Sequence, residues 1–161
     1  MQNTFKTIFL FLAVVLTASC RGIYEDTTEM AADYRSDVES ISVDELKAKV
    51  EKTGDFLLID VRQSTDYYTA NIPGAVSIPR GLLEFQIGSA DFWMAQYMYP
   101  PEKTTEIIVY CNSGNNSVLA ACTLKSLGYK NVKSLIGGYK AFNPNQDPNA
   151  KPKAASGGCG G

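Results

Sequence analysis

The segment from Glu106 to Gly128 restricts the fold more than any other part of this 161-residue chain. Residues 106–110 are short, β-branched and aromatic, which predicts a buried strand. Cys111 follows the strand directly, and a small polar loop then leads to residues 117–127, whose apolar spacing predicts a helix that stops at Gly128. A strand that passes through a short loop into a helix is the repeating unit of a parallel sheet.

The loop after this strand has a composition that suits a reactive thiol. It comprises Cys111, Asn112, Ser113, Gly114, Asn115, Asn116 and Ser117. Unpaired N–H groups at the start of a helix, together with the helix dipole, favour negative charge on a nearby thiol. Gly114 lets the backbone curl so that several N–H groups converge on one point. An inert core thiol is the alternative for Cys111, but a glycine and three asparagines around it argue against a dry environment.

Short apolar strands alternate with helical segments through the middle of the chain. Further strands are predicted at 56–59, 75–78 and 131–135, and helical segments are predicted after Ser42, after Ser64, over 82–98 and over 139–142. This alternation predicts an α/β fold with a mainly parallel central sheet of about five strands and helices on both faces. The aromatic side chains within 82–98 are predicted to pack into the core, and so is the Cys122 thiol, which falls on helical spacing.

The N-terminus has the pattern of a secretory signal peptide over residues 1–19. Lys6 precedes an apolar run at 8–16 that is too short to span a bilayer, for which roughly 20 residues are needed. Small residues follow and lead to Cys20. The cleavage region is similar to the lipobox of bacterial lipoproteins, except that Thr17 stands where leucine is usual. Both lipidation of Cys20 and ordinary cleavage after Ser19 predict an exported protein.

Composition excludes several classes of function. A formal net charge of -2 gives no reason to expect a nucleic-acid partner. The chain contains no histidine, which removes Ser-His and Cys-His catalytic pairs and histidine metal sites together. The four cysteines have no C-x-x-C spacing, so a zinc ribbon or a thioredoxin-type exchange site is not indicated. No metal or organic cofactor is predicted.

The two ends of the chain differ from the middle. Residues 20–37 are acidic and polar and predict a tether between the membrane and a domain over 38–143. Residues 144–161 are rich in Asn, Pro, Lys, Ala, Ser and Gly, which predicts a flexible tail. The tail carries Cys159 between glycines. A coil that begins at Phe142 would have an r.m.s. span of roughly 20 to 25 Å at Cys159, so this thiol is either incidental or a sulfur relay that can reach Cys111.

The order of motifs in residues 38–143 resembles the rhodanese domain family. The resemblance rests on several segments together and on no single one. These are Leu58–Arg62, Asp66–Tyr67, Asn71–Ala75, Ile78–Pro79, the Cys111 loop and Leu135–Tyr139.

This resemblance implies a sulfurtransferase in which Cys111 takes sulfane sulfur from a donor, holds it as a persulfide and passes it to an acceptor. The expected partners are a small sulfur donor or a protein persulfide, a thiol acceptor, and the membrane through a lipid on Cys20. The backbone from Asn112 to Ser117 would cradle the persulfide, and Asp60 and Arg62 would have a structural role. The cell envelope is the expected location, facing the periplasm, and Arg21 after the anchor favours the outer membrane by family analogy.

Two departures from the family pattern affect the expected substrate. Active family loops commonly carry arginine one and five residues after the cysteine, where this chain has Asn112 and Asn116. Asparagine cannot replace the charge with which arginine clamps a dianion, so a neutral or protein-bound persulfide is expected as donor ahead of thiosulfate. A cysteine phosphatase would need arginine six residues after the cysteine, where Ser117 stands. The alternative to an enzyme is a rhodanese-like binding module that has lost turnover.

Overall fold

Strand β4 lies at the centre of a five-stranded sheet in the computed structural model, which describes residues 22–52 and 54–147. The strand order is β1-β5-β4-β2-β3, and every neighbouring pair is parallel. The strands are β1 (Glu39–Ile41), β2 (Leu57–Asp60), β3 (Ala75–Ser77), β4 (Glu106–Tyr110) and β5 (Asn131–Leu135). The carboxyl ends of all five strands therefore meet at one edge of the sheet, where Cys111 follows β4.

Helices precede β1, connect the successive strands and follow β5. They are α1 (Thr27–Tyr34), α2 (Val43–Glu51), α3 (Ser64–Thr69), α4 (Leu83–Gln86), α5 (Ala90–Ala95), α6 (Asn115–Ser126) and α7 (Gly138–Phe142), with 3-10 turns at Arg35–Asp37 and Arg80–Leu82. None of the helices within the described ranges is long and apolar enough to cross a bilayer.

The sheet is covered on both faces. One face packs Ile59, Val109 and Val132 against side chains of α4, α5 and α6. The other packs Leu58 and Ile108 against side chains of α2, α3 and α7. Because successive side chains of a strand point to opposite faces, neighbouring residues of β2 and β4 enter different clusters. The predicted α/β fold with a parallel sheet and helices on both faces is confirmed.

Several local predictions hold in detail. Ser42 accepts a hydrogen bond from the Glu45 backbone and the Glu45 side chain bonds back to Ser42, which is the capping box that starts α2. Trp93 is fully buried in the core, as expected. Phe85 is not, because its side chain is 77% exposed. Strand β1 was not predicted, since three residues with one buried side chain, Ile41, carry almost no periodic signal.

Residues 27–37 are not the tether that their composition predicts. Asp26 caps α1 by accepting from the N–H groups of Thr28 and Glu29. Ala31 on α1 is fully buried and Tyr34 packs against the core cluster beneath α6. The polar composition gave the wrong prediction because this short helix packs on the core through Ala31 and the Tyr34 ring, and such packing needs few apolar residues.

Candidate active site

Cys111 lies at the carboxyl edge of the sheet, directly after β4 and directly before the loop that starts α6. Its side chain is a free thiol and the residue is 4% exposed. Helix α6 begins at Asn115, two residues earlier than predicted, and Gly114 is its N-cap with φ +99°. This left-handed conformation is one that residues with a Cβ rarely adopt, so the tight approach of the loop to the helix depends on glycine.

Two groups contact the sulfur. The Gly114 N–H donates to Cys111 Sγ at an N···S distance of 3.1 Å. The thiol in turn donates to Ser117 Oγ at 3.6 Å, and Ser117 is fully buried. The sequence predicts several N–H groups around the sulfur, and among the described residues the Gly114 N–H is the backbone donor that is hydrogen-bonded to it.

A chain of hydroxyl groups supports Ser117. Its Oγ donates to the Gly114 carbonyl at 3.0 Å and lies 2.9 Å from Ser134 Oγ on β5. Within the described part of the chain, this contact is the hydrogen bond that the buried Ser134 side chain makes. The Ser134 hydroxyl therefore finds an acceptor only when it donates to Ser117 Oγ. The Ser117 hydroxyl can then donate to the Gly114 carbonyl or to a Cys111 thiolate.

Helix α7 holds the loop from the other side. The Tyr139 N–H donates to the Cys111 carbonyl at 2.8 Å, and the Lys140 N–H donates to the Asn112 carbonyl at 3.1 Å. This close approach requires glycine at 138, which has φ +60°. A Cβ at Gly138 would lie 2.8 Å from the Asn112 carbonyl oxygen and would also collide with the Cys111 carbonyl oxygen.

Asp60 and Arg62 form a buried ion pair next to these elements. Arg62 Nη2 lies 2.7 Å from Asp60 Oδ2, and their side chains are 4% and 0% exposed. Burial alone would lower the pKa of Arg62, but the hydrogen bonds and the charge of Asp60 outweigh it and hold the pKa above its ordinary value. The guanidinium also lies 4.1 Å from the centre of the Tyr139 ring. The pair thus supports α7, which in turn holds the Cys111 loop.

A cation from outside the predicted domain reaches the loop. Arg35 lies in the 3-10 turn after α1, and its Nη2 donates to Asn115 Oδ1 at 3.2 Å. The turn is tied to α6 by Lys125 Nζ, which donates to the Asp37 carbonyl at 2.6 Å.

A polar cleft of about 520 Å³ opens beside the loop. Asn112 forms part of its wall, and the other lining residues are Arg62, Asp66, Lys140, Asn143, Pro144 and Gln146. The cleft gives a small molecule or a partner side chain room beside the residue that follows Cys111.

The remaining predicted residues lie as follows. Asn112, Ser113 and Asn116 are exposed and Asn115 is half-buried. Cys122 is only half-buried, and its Sγ contacts the Tyr34 carbonyl at 4.0 Å. Cys20 and Cys159 lie outside the described residues. In the described ranges, no group of three or more cysteine, aspartate or glutamate side chains is placed to hold a metal ion.

Three residues that contact this loop were not predicted from the sequence, namely Arg35, Ser134 and Gly138. Arg35 and Ser134 contact loop residues that are 80 and 17 positions away in the chain, and a single sequence carries no signal of such pairs. The Gly137-Gly138 pair did offer a signal, because two adjacent glycines before a helix indicate a close backbone approach.

Comparisons with known proteins agree with this architecture. One curated relative is "Putative sulfur carrier protein YrkF" of Bacillus subtilis, 30% identical over 112 residues, or 70% of this chain. The chain spans 55% of that protein's length.

Two solved structures are similar over most of their own length. The human single-domain sulfurtransferase TSTD1 has a TM-score of 0.62 and 25% identity, covering 68% of this chain and 99% of its own. A protein of Rhodopseudomonas palustris described as a possible tyrosine phosphatase has a TM-score of 0.63 and 25% identity, covering 79% and 96%. A family model described as "Rhodanese-like domain" matches residues 42–145, which is most of the described chain, and the protein belongs to the rhodanese-like domain family.

Proposed function

We propose that this protein is a sulfurtransferase in which Cys111 carries sulfane sulfur as a persulfide. The observation that supports this most directly is the Gly114 N–H, 3.1 Å from the sulfur, in a loop between β4 and α6. Membership of the rhodanese-like family and the sulfur-carrier and sulfurtransferase names of similar proteins point to the same chemistry.

The proposed reaction has two balanced steps. The Cys111 thiolate attacks the sulfane sulfur of a donor, a new S–S bond forms at Sγ, and the donor's own bond to that sulfur breaks with the electron pair leaving on the donor residue. An acceptor thiolate then attacks the outer sulfur of the persulfide, and Cys111 leaves as a thiolate. No oxidant or reductant is consumed, because the sulfur atom keeps its oxidation state through both transfers.

The residues around Cys111 can stabilise its thiolate, the form that attacks in the first step and leaves in the second. The Gly114 N–H bonds the thiolate, and Ser117 can turn its proton toward the sulfur because Ser134 supplies a second hydrogen bond to Ser117 Oγ. The Gly114 carbonyl that Ser117 would release keeps the Val118 N–H at 3.3 Å. Rotation of the Ser117 hydroxyl from the Gly114 carbonyl to the sulfur thus leaves that carbonyl with a hydrogen-bond donor.

A phosphatase reaction fits this loop less well. Phosphoryl transfer needs cationic donors that clamp the phosphate oxygens, and arginine is suited to this by its fork of N–H groups. The position six residues after Cys111 holds Ser117, whose hydroxyl is already bonded within the loop. The loop therefore offers sulfur chemistry a nucleophile and a hydrogen-bond donor, but it offers a phosphoryl group no cation of its own.

The proposal is tested by sulfur uptake in the purified full-length protein. We expect incubation with thiosulfate, polysulfide or a small persulfide to add one sulfur atom to the Cys111 peptide in mass spectrometry. Cys111→Ser should abolish this gain. Cys122→Ser is the matched control, since Cys122 is the other cysteine in the described ranges and lies on α6 away from the loop, and it should leave the gain unchanged.

Two results would decide against transfer. Absence of the gain with every donor would leave a rhodanese-like binding module. A persulfide that forms on Cys111 but is never discharged to cysteine or another small thiol would also favour a module that has lost turnover.

Export and anchoring are a separate proposal that rests on residues outside the described part of the chain. We propose that Cys20 is lipidated and becomes the first residue of the mature chain after cleavage at Ser19, and that the protein faces the periplasm. The mass of the N-terminal peptide from the native host should show a diacylglyceryl group on Cys20. An unmodified Cys20 in the mature protein would rule out the anchor.

A further inference from the structure

The Cys111 loop has no cationic side chain of its own. Residues 112–117 are asparagine, serine and glycine only. An anionic ligand would therefore meet backbone N–H groups and neutral side chains, which bind anions more weakly than a guanidinium does. A positive charge at this site has to come from another part of the chain. Lys140 lines the cleft beside Asn112, and Arg35 reaches the other end of the loop at Asn115.

Arg35 provides such a charge. Its Nη2 lies 3.2 Å from Asn115 Oδ1, and Asn115 directly follows the glycine whose N–H reaches the Cys111 sulfur. The contact places a guanidinium beside the loop although Arg35 lies seven positions before the family match, which covers 42–145.

The position of Arg35 is fixed by the packing of α1 and the turn that follows it. Ala31 is fully buried, and the Tyr34 carbonyl contacts Cys122 Sγ on α6. On the other side of Arg35, the Asp37 carbonyl accepts from Lys125 Nζ at 2.6 Å. Contacts on both sides of Arg35 hold its backbone against the helix that the loop starts.

The Arg35 guanidinium has further N–H groups that could donate to an anion. A guanidinium has five N–H donors, and the contact with Asn115 uses one of them. The ion pairs among the described residues join Lys49 and Lys133 to Glu106, Arg62 to Asp60, and Arg80 to Glu84, and none involves Arg35. An incoming anion would meet a guanidinium that makes no ion pair within 4 Å with a carboxylate of the described residues.

We propose that Arg35 is an anion-binding residue of the Cys111 site and that it selects sulfur donors with an anionic leaving group. The donor class rests on the proposed sulfurtransferase function. With thiosulfate, the Cys111 thiolate attacks the sulfane sulfur, the S–S bond of thiosulfate breaks, and sulfite leaves with the electron pair. Arg35 binds the oxygens of the sulfonate end before and after that bond breaks. The sequence alone favoured a neutral or protein-bound persulfide as donor because it did not reveal this cation.

The first test compares two alkylating reagents that differ in charge. Iodoacetate and iodoacetamide react with a thiolate by the same displacement, so their rate ratio at Cys111 measures how well the site accepts an anion. Mass spectrometry of the Cys111 peptide from the full-length protein separates this thiol from the others. We expect Arg35→Gln to lower the ratio of the iodoacetate rate to the iodoacetamide rate about fivefold. This is the effect expected when one solvent-exposed contact between opposite charges is lost.

Two further variants isolate the charge of Arg35. Arg35→Lys keeps the charge and should retain most of the ratio. Lys130→Gln removes an exposed cation just before β5, at the opposite edge of the sheet, and should not change the ratio. A ratio in Arg35→Gln equal to that of the wild type would overturn the proposal. So would an equal fall in Lys130→Gln, since the effect would then be one of net charge.

Sulfur uptake from thiosulfate separates this proposal from the proposed function. If both hold, Arg35→Gln should raise KM for thiosulfate about fivefold and leave kcat within about twofold, because Arg35 binds the donor without taking part in bond exchange. A wild-type protein that takes up no sulfur while its alkylation ratio still depends on Arg35 would refute sulfur transfer and leave the anion site standing. Equal KM values in wild type and Arg35→Gln would refute the role of Arg35 as a donor-binding residue.

Discussion

Replacement of Gly138 by alanine tests whether α7 holds the Cys111 loop in place. Gly138 has φ +60°, and an added Cβ would lie 2.8 Å from the Asn112 carbonyl oxygen. The loop or the helix must move, and the movement separates the partners of two backbone hydrogen bonds, Tyr139 N–H to Cys111 and Lys140 N–H to Asn112. The left-handed conformation costs a residue with a Cβ roughly 1 to 2 kcal/mol, and each lost hydrogen bond costs about 1 kcal/mol.

We therefore expect Gly138→Ala to lower the free energy of unfolding by about 3 to 4 kcal/mol. Gly128→Ala is a control that isolates the backbone strain, because Gly128 has φ +90° but no atom within 4 Å of an added Cβ. It should cost only the roughly 1 to 2 kcal/mol of strain. Urea denaturation of the full-length protein, followed by circular dichroism, measures both variants under the same conditions.

A second readout connects this change to the site. Movement of the Cys111 and Asn112 carbonyls should take the sulfur away from the Gly114 N–H, so Cys111 should be alkylated by iodoacetamide more slowly in Gly138→Ala than in Gly128→Ala. Equal unfolding free energies and equal alkylation rates in the two variants would refute the view that α7 holds the loop.

Three further predictions concern the hydroxyl chain, the tail and the acid side of the stability curve. Ser134→Ala should slow the alkylation of Cys111 at neutral pH severalfold. Ser77→Ala is the control, because it removes a buried hydroxyl of the same sheet that has no hydrogen-bond partner, and it should not change the rate. Identical rates in the two variants would contradict a role for the hydroxyl chain. Cys159→Ser should leave the formation of the Cys111 persulfide unchanged and slow its discharge, and unchanged discharge in stopped-flow measurements would exclude the relay. Burial raises the pKa of Glu106, but hydrogen bonds from its two lysine partners and their charges outweigh burial and lower the pKa below the ordinary 4.5. The ionised Glu106 side chain should therefore stabilise the fold above pH 4.5, and this stabilisation should be lost as the pH falls below 4.5. Thermal unfolding of Glu106→Gln between pH 3 and 7 should show a weaker loss of stability on the acid side than the wild type, and parallel curves would contradict the assignment.

The elements of the fold that follow local rules were predictable from the sequence. Strands β4 and β5 have the predicted bounds, because β4 is an apolar run that ends at a polar loop and β5 lies between the turn signals at Gly128 and Gly137. Helix α2 starts at the predicted capping box. Helix α6 starts two residues before its predicted start at Ser117, since Asn115 and Asn116 read as loop residues while the left-handed Gly114 allows them to join the helix.

The candidate site was predictable only in its local part. Cys111, Gly114 and Ser117 follow from one loop, whose spacing is visible in the sequence. The groups that hold this loop come from elsewhere in the chain, and whether Ser134 faces Ser117 depends on the pairing register of β4 with β5. A shift of that register by one residue would turn Ser134 to the other face of the sheet, and nothing in the local composition of β5 excludes it.

The N-terminal helix changes what the loop can be expected to bind. Asn112 and Asn116 stand where active family loops commonly carry arginine. Taken alone, these two asparagines indicate a site with low affinity for anions. A charge lost from the loop can, however, be supplied by any segment that reaches it, and α1 brings Arg35 to Asn115 from outside the family match. If the alkylation ratio depends on Arg35, Arg35→Gln in the full-length protein should leave the loop in place and weaken its preference for anions. Residues outside the shared domain would then set the donor preference of this protein, because the charge that selects an anion lies there and not in the loop.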